Sequence, residues 1–263
     1  MPIDTREISA LCASTAAPRV DLYAGIHKAL RAIMADTLLA LGRMDVDDAP
    51  ELAQASQRVL DLLDFCTAHL QHENDFIHVA IEARAPGASE VMAHEHEEHL
   101  SHITRVRQLV GALLQAQVSQ RAAAALELYR QLALFIAENF QHMHVEETAH
   151  NAVLWSRYTD AELAGIHSAL VVSIAPQEMM YILRWLVPFM NPAERTAVMR
   201  DMRAHAPAPA FAAALDVVRP HLSDAEWGKL LRSLGLAAAS ERLSEPGFSP
   251  PRPAVPAAAA PPA

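Results

Sequence analysis

Only two cysteines, Cys12 and Cys66, occur among the 263 residues, so no disulfide framework is available and a reducing cytoplasm is the expected setting. Glycine is scarce as well, at 8 residues, which argues against a turn-dense β sandwich or barrel. No uninterrupted apolar run reaches the roughly 18 residues that a membrane span requires. The richest stretch, Met179 to Met190, carries Arg184 in its middle. Asp4, Arg6 and Glu7 stand where a secretory signal would place a basic run before an apolar block, so no signal peptide is expected. Basic residues are outnumbered 21 to 31 (net charge −10), which disfavours a general nucleic-acid binder. Alanine, in contrast, occurs 51 times, and hydrophobic residues make up 52% of the chain. An Ala- and Leu-rich chain of this length predicts helices around a core that needs no staples. Histidine is the outlier: 10 of the 14 fall between His69 and His150.

The first 157 residues read as four long helices, from about Val20 to Gly42, Pro50 to Arg84, Ser89 to Gln117 and Arg121 to Tyr158. Pro50 suits a first helical turn, and Pro86-Gly87 stops the second helix. Short connections between long helices predict an all-α, antiparallel up-down-up-down four-helix bundle over residues 20–157. A smaller helical region is expected over 158–240, with start signals at Thr159/Glu162, Asn191-Pro192/Glu194 and Ser223/Glu226. Residues 241–263 read as a disordered tail, because seven prolines and many alanines from Pro246 onward cannot bury enough surface to offset their ordering entropy. On this division, residues 1–157 close their own core.

The pattern His-x-x-x-Glu places two metal-ligand types one helical turn apart, and it occurs four times: His69/Glu73, His78/Glu82, His94/Glu98 and His142/Glu146. A helical wheel sorts them. On the second helix, His69 and Glu73 lie inside the apolar stripe of Leu62, Cys66, Phe76 and Ala80, whereas His78 and Glu82 fall opposite. On the fourth, His142 and Glu146 lie inside the stripe of Leu128, Phe135, Ala149 and Val153. The third helix centres His99 on its inner face, flanked by Glu95, His96 and His102, and the first carries His27 inward beside Tyr23. His78, His94, His144 and His150 are expected to face solvent, His72 lies at the stripe's edge, and Cys66 is read as a small core residue.

Register tests whether these groups can meet. Counted from the turn near Val46, His27 lies 19 residues back and His69 lies 23 forward. From Gly87, Glu73 is 14 back and His99 12 forward; from Ser119, His99 is 20 back and His142 23 forward. At about 1.5 Å per residue these offsets agree to roughly one turn, so four helices can deliver ligands to one layer. Buried without partners, the same groups would cost several kcal/mol each. A metal removes that cost, and imidazole with carboxylate suits iron, manganese or zinc. Four or five histidines with two glutamates exceed what one tetrahedral zinc uses and fit two carboxylate-bridged ions in a bundle core.

The segments Ile26-His27-Lys28-Ala29-Leu30-Arg31, His69-Leu-Gln-His-Glu73, His96-Glu-Glu-His99 and His142-Met-His-Val-Glu146-Glu147 together resemble hemerythrin-like (HHE cation-binding) proteins over about residues 20 to 157. The resemblance implies a non-haem di-iron centre in a four-helix bundle. His27, His69, His99 and His142 would be terminal ligands, and Glu73 and Glu146 would bridge. The oxygen carriers have His-x-x-x-His on the third helix, but here Glu95 stands four residues before His99, so His96 is the first substitute, with His102 and Glu95 behind it. The fourth helix also has His-x-x-x-Glu where the oxygen carriers have a longer His-to-Asp spacing. Both departures argue against reversible oxygen storage and leave metal binding intact.

The expected function is therefore sensing or binding of O2, NO or redox state at a di-iron centre, with the C-terminal helices transmitting the signal or holding a protein partner. A di-iron oxidase or peroxidase, or a protein that repairs iron centres, is the enzymatic alternative, with Tyr23 or Cys66 as proton donor. A helical interaction module stapled by its metal is the third. The near repeat of Ala24-Gly-Ile-His-Lys-Ala-Leu30 at Ala164-Gly-Ile-His-Ser-Ala-Leu170 has no second set of ligands to accompany it.

Overall fold

A computed structural model describes residues 19–236. The tail expected over 241–263 lies outside the described residues. Among those residues every element is helical and no strand occurs. The first helix, α1, spans Ala24–Gly42. Ahead of it, Asp21 accepts hydrogen bonds from the backbone N–H groups of Tyr23 and Ala24, satisfying donors that a helix start leaves open. Helix α2 spans Ala49–His72; Asp48 caps it by accepting from Glu51 N–H, and Pro50 sits in its first turn. The same rod continues through a π turn at Glu73–His78 into α3, Val79–Arg84. Gly87 then adopts φ +83°, a backbone conformation that a side chain would strain, while the Glu82 carboxylate accepts from Gly87 N–H and from the N–H and hydroxyl of Ser89.

Helix α4 (Glu90–Gln115) and helix α5 (Val118–Val145) follow. A second π turn at Glu146–His150 joins α5 to α6, Asn151–Arg157. Helix α1 packs on α2 and α5, α2 on α4, and α4 on α5, which closes a ring of four rods. Their inward residues, among them Leu30, Ile33, Met34, Leu62, Val106, Leu128 and Phe135, make one apolar core.

The three start signals anticipated after Tyr158 are all capping boxes: Thr159 with Glu162 opens α7 (Asp160–Ser173), Asn191 with Glu194 opens α9 (Pro192–His205), and Ser223 with Glu226 opens α11 (Asp224–Ser233). Between them lie α8 (Pro176–Leu186) and α10 (Ala208–Val218). Helix α8 faces two ways. Its Ile182 and Trp185 enter the bundle core, and its Leu183 joins Met199, Ala214, Val218, Leu222 and Leu230 in a second core. Lys28 on α1 pairs with Glu194 at 2.6 Å across the same seam. The boundary drawn near residue 157 therefore separates segments that share a core. Among the described residues no single helix is long and apolar enough to cross a membrane.

Candidate metal centre

The two His-x-x-x-Glu pairs of the inward stripes end where the π turns begin. His69 lies in the last turn of α2 and Glu73 opens the first π turn; His142 lies in the last turn of α5 and Glu146 opens the second. Each pair is held at one-turn spacing, with His69 Nε2 at 3.2 Å from Glu73 Oε1 and His142 Nε2 at 3.2 Å from Glu146 Oε1. Helix α1 adds His27, whose Nε2 lies 3.6 Å from Glu73 Oε1 and 3.5 Å from Glu146 Oε2. Helix α4 adds His96, whose Nε2 lies 3.6 Å from Glu73 Oε2, 3.7 Å from Glu146 Oε1 and 3.0 Å from His142 Nε2. Six of the seven expected residues thus converge around the two carboxylates: His27, His69, Glu73, His96, His142 and Glu146.

The seventh does not converge. His99 is buried and its ring sits 4.8 Å from that of His142, but it stands outside the donor groups that surround Glu73 and Glu146. The expected order of the third helix is reversed, because the ring of four rods turns His96, rather than the centre of the apolar stripe, toward the carboxylates. His102 instead pairs with Glu138 at 2.8 Å, and Glu95 accepts from His142 Nδ1 at 2.8 Å, so neither faces the cluster as a ligand.

A second correction concerns two histidines expected in solvent. His78 and His150 are 6% and 3% exposed, and with Glu146 they form a third donor group. The π turns are the cause. Each carries one more residue than the α turn it replaces, so everything beyond it rotates by one position. A straight wheel puts Phe76, Ala80, Ala149 and Val153 inward. The structure buries Ile77, Ile81, His150 and Leu154 most deeply and leaves Ala149 exposed. Glu82, the nominal partner of His78, is consumed by the Gly87–Ser89 turn. His94 is exposed as expected, His144 is half-buried, and His72 lies 3.8 Å from Glu178 on α8. His167, of the near repeat, sits exposed on α7.

The outer nitrogens of the inward rings are held by residues within or next to the motifs. His27 Nδ1 donates to Glu147 Oε1 at 3.0 Å, and Arg31 grips the same carboxylate through two bonds of 2.6 and 3.0 Å. His96 Nδ1 donates to Asn74 Oδ1 at 2.8 Å, and His142 Nδ1 to Glu95. Such contacts fix ring orientation and leave Nε2 of each ring aimed at the cluster. The signal in the sequence was adjacency: Asn74 and Glu147 directly follow the two clustered glutamates.

Much of what faces inward is unpaired. Both oxygens of Glu73, both oxygens of Glu146, and Nε2 of His27 and His69 are buried without hydrogen-bond partners among the described residues. Groups of this kind are normally satisfied, and here they point at one another. Burial and then the charge of Glu146 push the Glu73 carboxyl up. Burial also acts to raise Glu146, but the His142 and His96 rings beside it and the charges of His142 and His27 hold it well below the usual carboxylate range. Burial pulls the His27 imidazole down, yet its hydrogen bond to Glu147, the nearby Glu73 carboxylate and the charges of Glu146 and Glu73 raise it to about 9. His142 is raised to about 10 in the same way, through Glu146 and Glu95. His69 stays neutral, lowered by burial and then by the charge of His27. The donor set is therefore oxygen and imidazole nitrogen, and its cost of burial is what a cation would remove.

Tyr23 is fully buried, with its hydroxyl 3.1 Å from His150 Nδ1. Leu22, Ile77, Ile81, Leu154 and Leu163 surround it and close this end of the bundle with an apolar cap. Cys66 is buried too, and burial pushes its thiol up to about 12, which makes it a poor proton donor. A family model described as the hemerythrin HHE cation binding domain matches residues 19–150, half of the chain. No curated protein and no solved structure matches the chain.

Proposed function

The chain belongs to the hemerythrin HHE cation-binding family, and from that premise we propose that it holds two non-haem iron ions bridged by Glu73 and Glu146 and binds a small ligand such as O2 or NO. The observation that carries this reading is the four unpaired carboxylate oxygens, buried among the Nε2 atoms of His27, His69, His96 and His142. His27, His69 and Glu73 make one donor group and Glu73, His96, His142 and Glu146 another, with Glu73 common to both and Glu146 Oε2 3.5 Å from His27 Nε2, so the residues can be divided between two ions. A carboxylate between two donor groups can bridge; a lone core glutamate has no other reason to be there. A pair of iron ions supplies one-electron redox chemistry and an open coordination position for a small ligand. The protein supplies the rest: Glu147, Asn74 and Glu95 orient the rings, and the apolar cap of Leu22, Ile77, Ile81, Leu154 and Leu163 excludes bulk water. Manganese or zinc would fit the same donors. Helix α8, shared by both cores, is the element through which a change at the bundle would reach the C-terminal helices and a protein partner there.

The test is metal analysis and an optical spectrum of the purified chain, reduced and oxidised, with O2 and with NO. A di-iron spectrum that changes with either gas supports the reading. A spectroscopically silent zinc protein would replace it with a stapled helical module, and rapid turnover of peroxide would make it an enzyme. Glu73→Gln and Glu146→Gln should each lose most of the metal while keeping their helical circular dichroism; full occupancy in both would reject the bridging assignment.

A further inference from the structure

Six imidazoles and carboxylates account for the two ions proposed above. His78 and His150 are left over, and the two π turns spend a helix irregularity each to bring them inside. Their rings meet edge-to-face at 5.5 Å, and the His78 ring stacks on that of His96 at 4.7 Å. One nitrogen of each and one oxygen of Glu146 lie within 4.8 Å of one another. Nε2 of His78 is buried with no hydrogen-bond partner among the described residues, on a side chain that is 6% exposed. His150 is hydrogen-bonded to Tyr23, but a core histidine kept only for packing would not leave a nitrogen bare as His78 does; Asn139, for comparison, bonds to the Phe135 carbonyl. His78 instead keeps a buried nitrogen unpaired, beside a Glu146 carboxylate whose oxygens are unpaired too and within the span that one ion collects. The Tyr23 hydroxyl, 3.1 Å from His150 Nδ1, holds that ring in place.

We propose that His78, His150 and Glu146 form a third cation position beside the binuclear centre, suited to a divalent first-row transition ion. Two imidazoles and one carboxylate, with further positions open, are the donor set that ferrous iron takes in non-haem sites. The position rests on the preceding reading, because Glu146 is shared with the pair. It is also the weakest of the three. Glu146 is its only carboxylate and already serves two ions, whereas the pair has Glu73 as well and is backed by Glu147 and Glu95. The third ion is accordingly the last to load and the first to leave, which fits a position that feeds or drains the pair.

The experiment uses the full chain, stripped with chelator, loaded anaerobically with excess Fe(II), desalted and analysed for iron per chain, with circular dichroism confirming the fold. The wild type should hold about three ions per chain, and His78→Gln and His150→Gln about two each, while the exposed-site control His94→Gln stays at about three. A graded chelator challenge should remove one ion of the wild type first and leave the variants' two ions in place. A wild type with two ions and variants with two would overturn the third position while leaving the binuclear reading intact. A wild type with two and variants with one would also overturn it, making these histidines ligands of the pair. A wild type that retains no metal would overturn both readings.

Discussion

Nδ1 of His142 donates a 2.8 Å hydrogen bond to Glu95, a residue that sequence spacing had placed among the candidate ligands. The carboxylate instead stands behind the ring and turns its Nε2 toward Glu146. Helix α4 thus serves the site twice, once with His96 from the inside and once with Glu95 from the outside.

Removing that support should weaken the site without emptying it. Glu95→Ala is expected to reduce metal affinity by roughly 10- to 100-fold, the usual cost of losing an orienting partner, with unchanged helical content. Competition against a chelator of known affinity measures it. An unchanged affinity would mean that packing alone orients His142.

On the third helix the expected damage is unequal. His96→Ala removes a donor that faces both carboxylates, whereas His99→Ala removes a ring that lies against His142 and Phe135, outside the donor groups. Metal content should fall sharply in the first variant and stay near that of the wild type in the second. The opposite result would show that α4 turns by about 60° or more in the loaded protein, since the two positions lie three residues apart.

Loading should release protons. In the metal-free cluster the surrounding carboxylates raise His27 to about 9 and His142 to about 10, so at neutral pH both imidazoles carry a proton that a cation must displace. Protons bound only by the metal-free form make affinity rise with pH, and the rise should continue until those values are reached. Titration with metal at pH 7 in weak buffer with an indicator dye should register about two protons per loaded chain. A value near zero would mean that the rings are already neutral.

The shared core predicts that the bundle depends on the C-terminal region. Trp185 reaches the same apolar cluster as Leu30, Ile33 and Phe65. Trp185→Ala should cost about 3 kcal/mol in denaturant unfolding, and the isolated segment 1–157 should be less stable than the full chain. If that segment unfolds at the same denaturant concentration as the full chain, the α8 contact contributes nothing to the bundle.

Much of this architecture was readable from local chemistry. Capping boxes depend on residues three apart, so Thr159, Asn191 and Ser223 announced their helices, and the His-x-x-x-Glu spacing announced one inward pair on each of two rods. Counting residues from each turn put His27, His69 and His142 near one level, because an α-helix rises by a fixed amount per residue. Three matters were settled only by the folded chain. The π turns after Glu73 and Glu146 leave no mark in composition, since they trade local hydrogen-bond geometry for the burial of His78 and His150, and that exchange exists only once the rods are packed. That His96 rather than His99 faces the carboxylates depends on how α4 is rotated against its neighbours, which packing sets and an apolar stripe defines only to within a residue or so. The placement of α8 was out of reach for the same reason: a helix with apolar groups on two faces names no partner, and contact with both cores decided it. Sequence fixes what is near in the chain; the groups that meet across the bundle are chosen by the packing that brings them there.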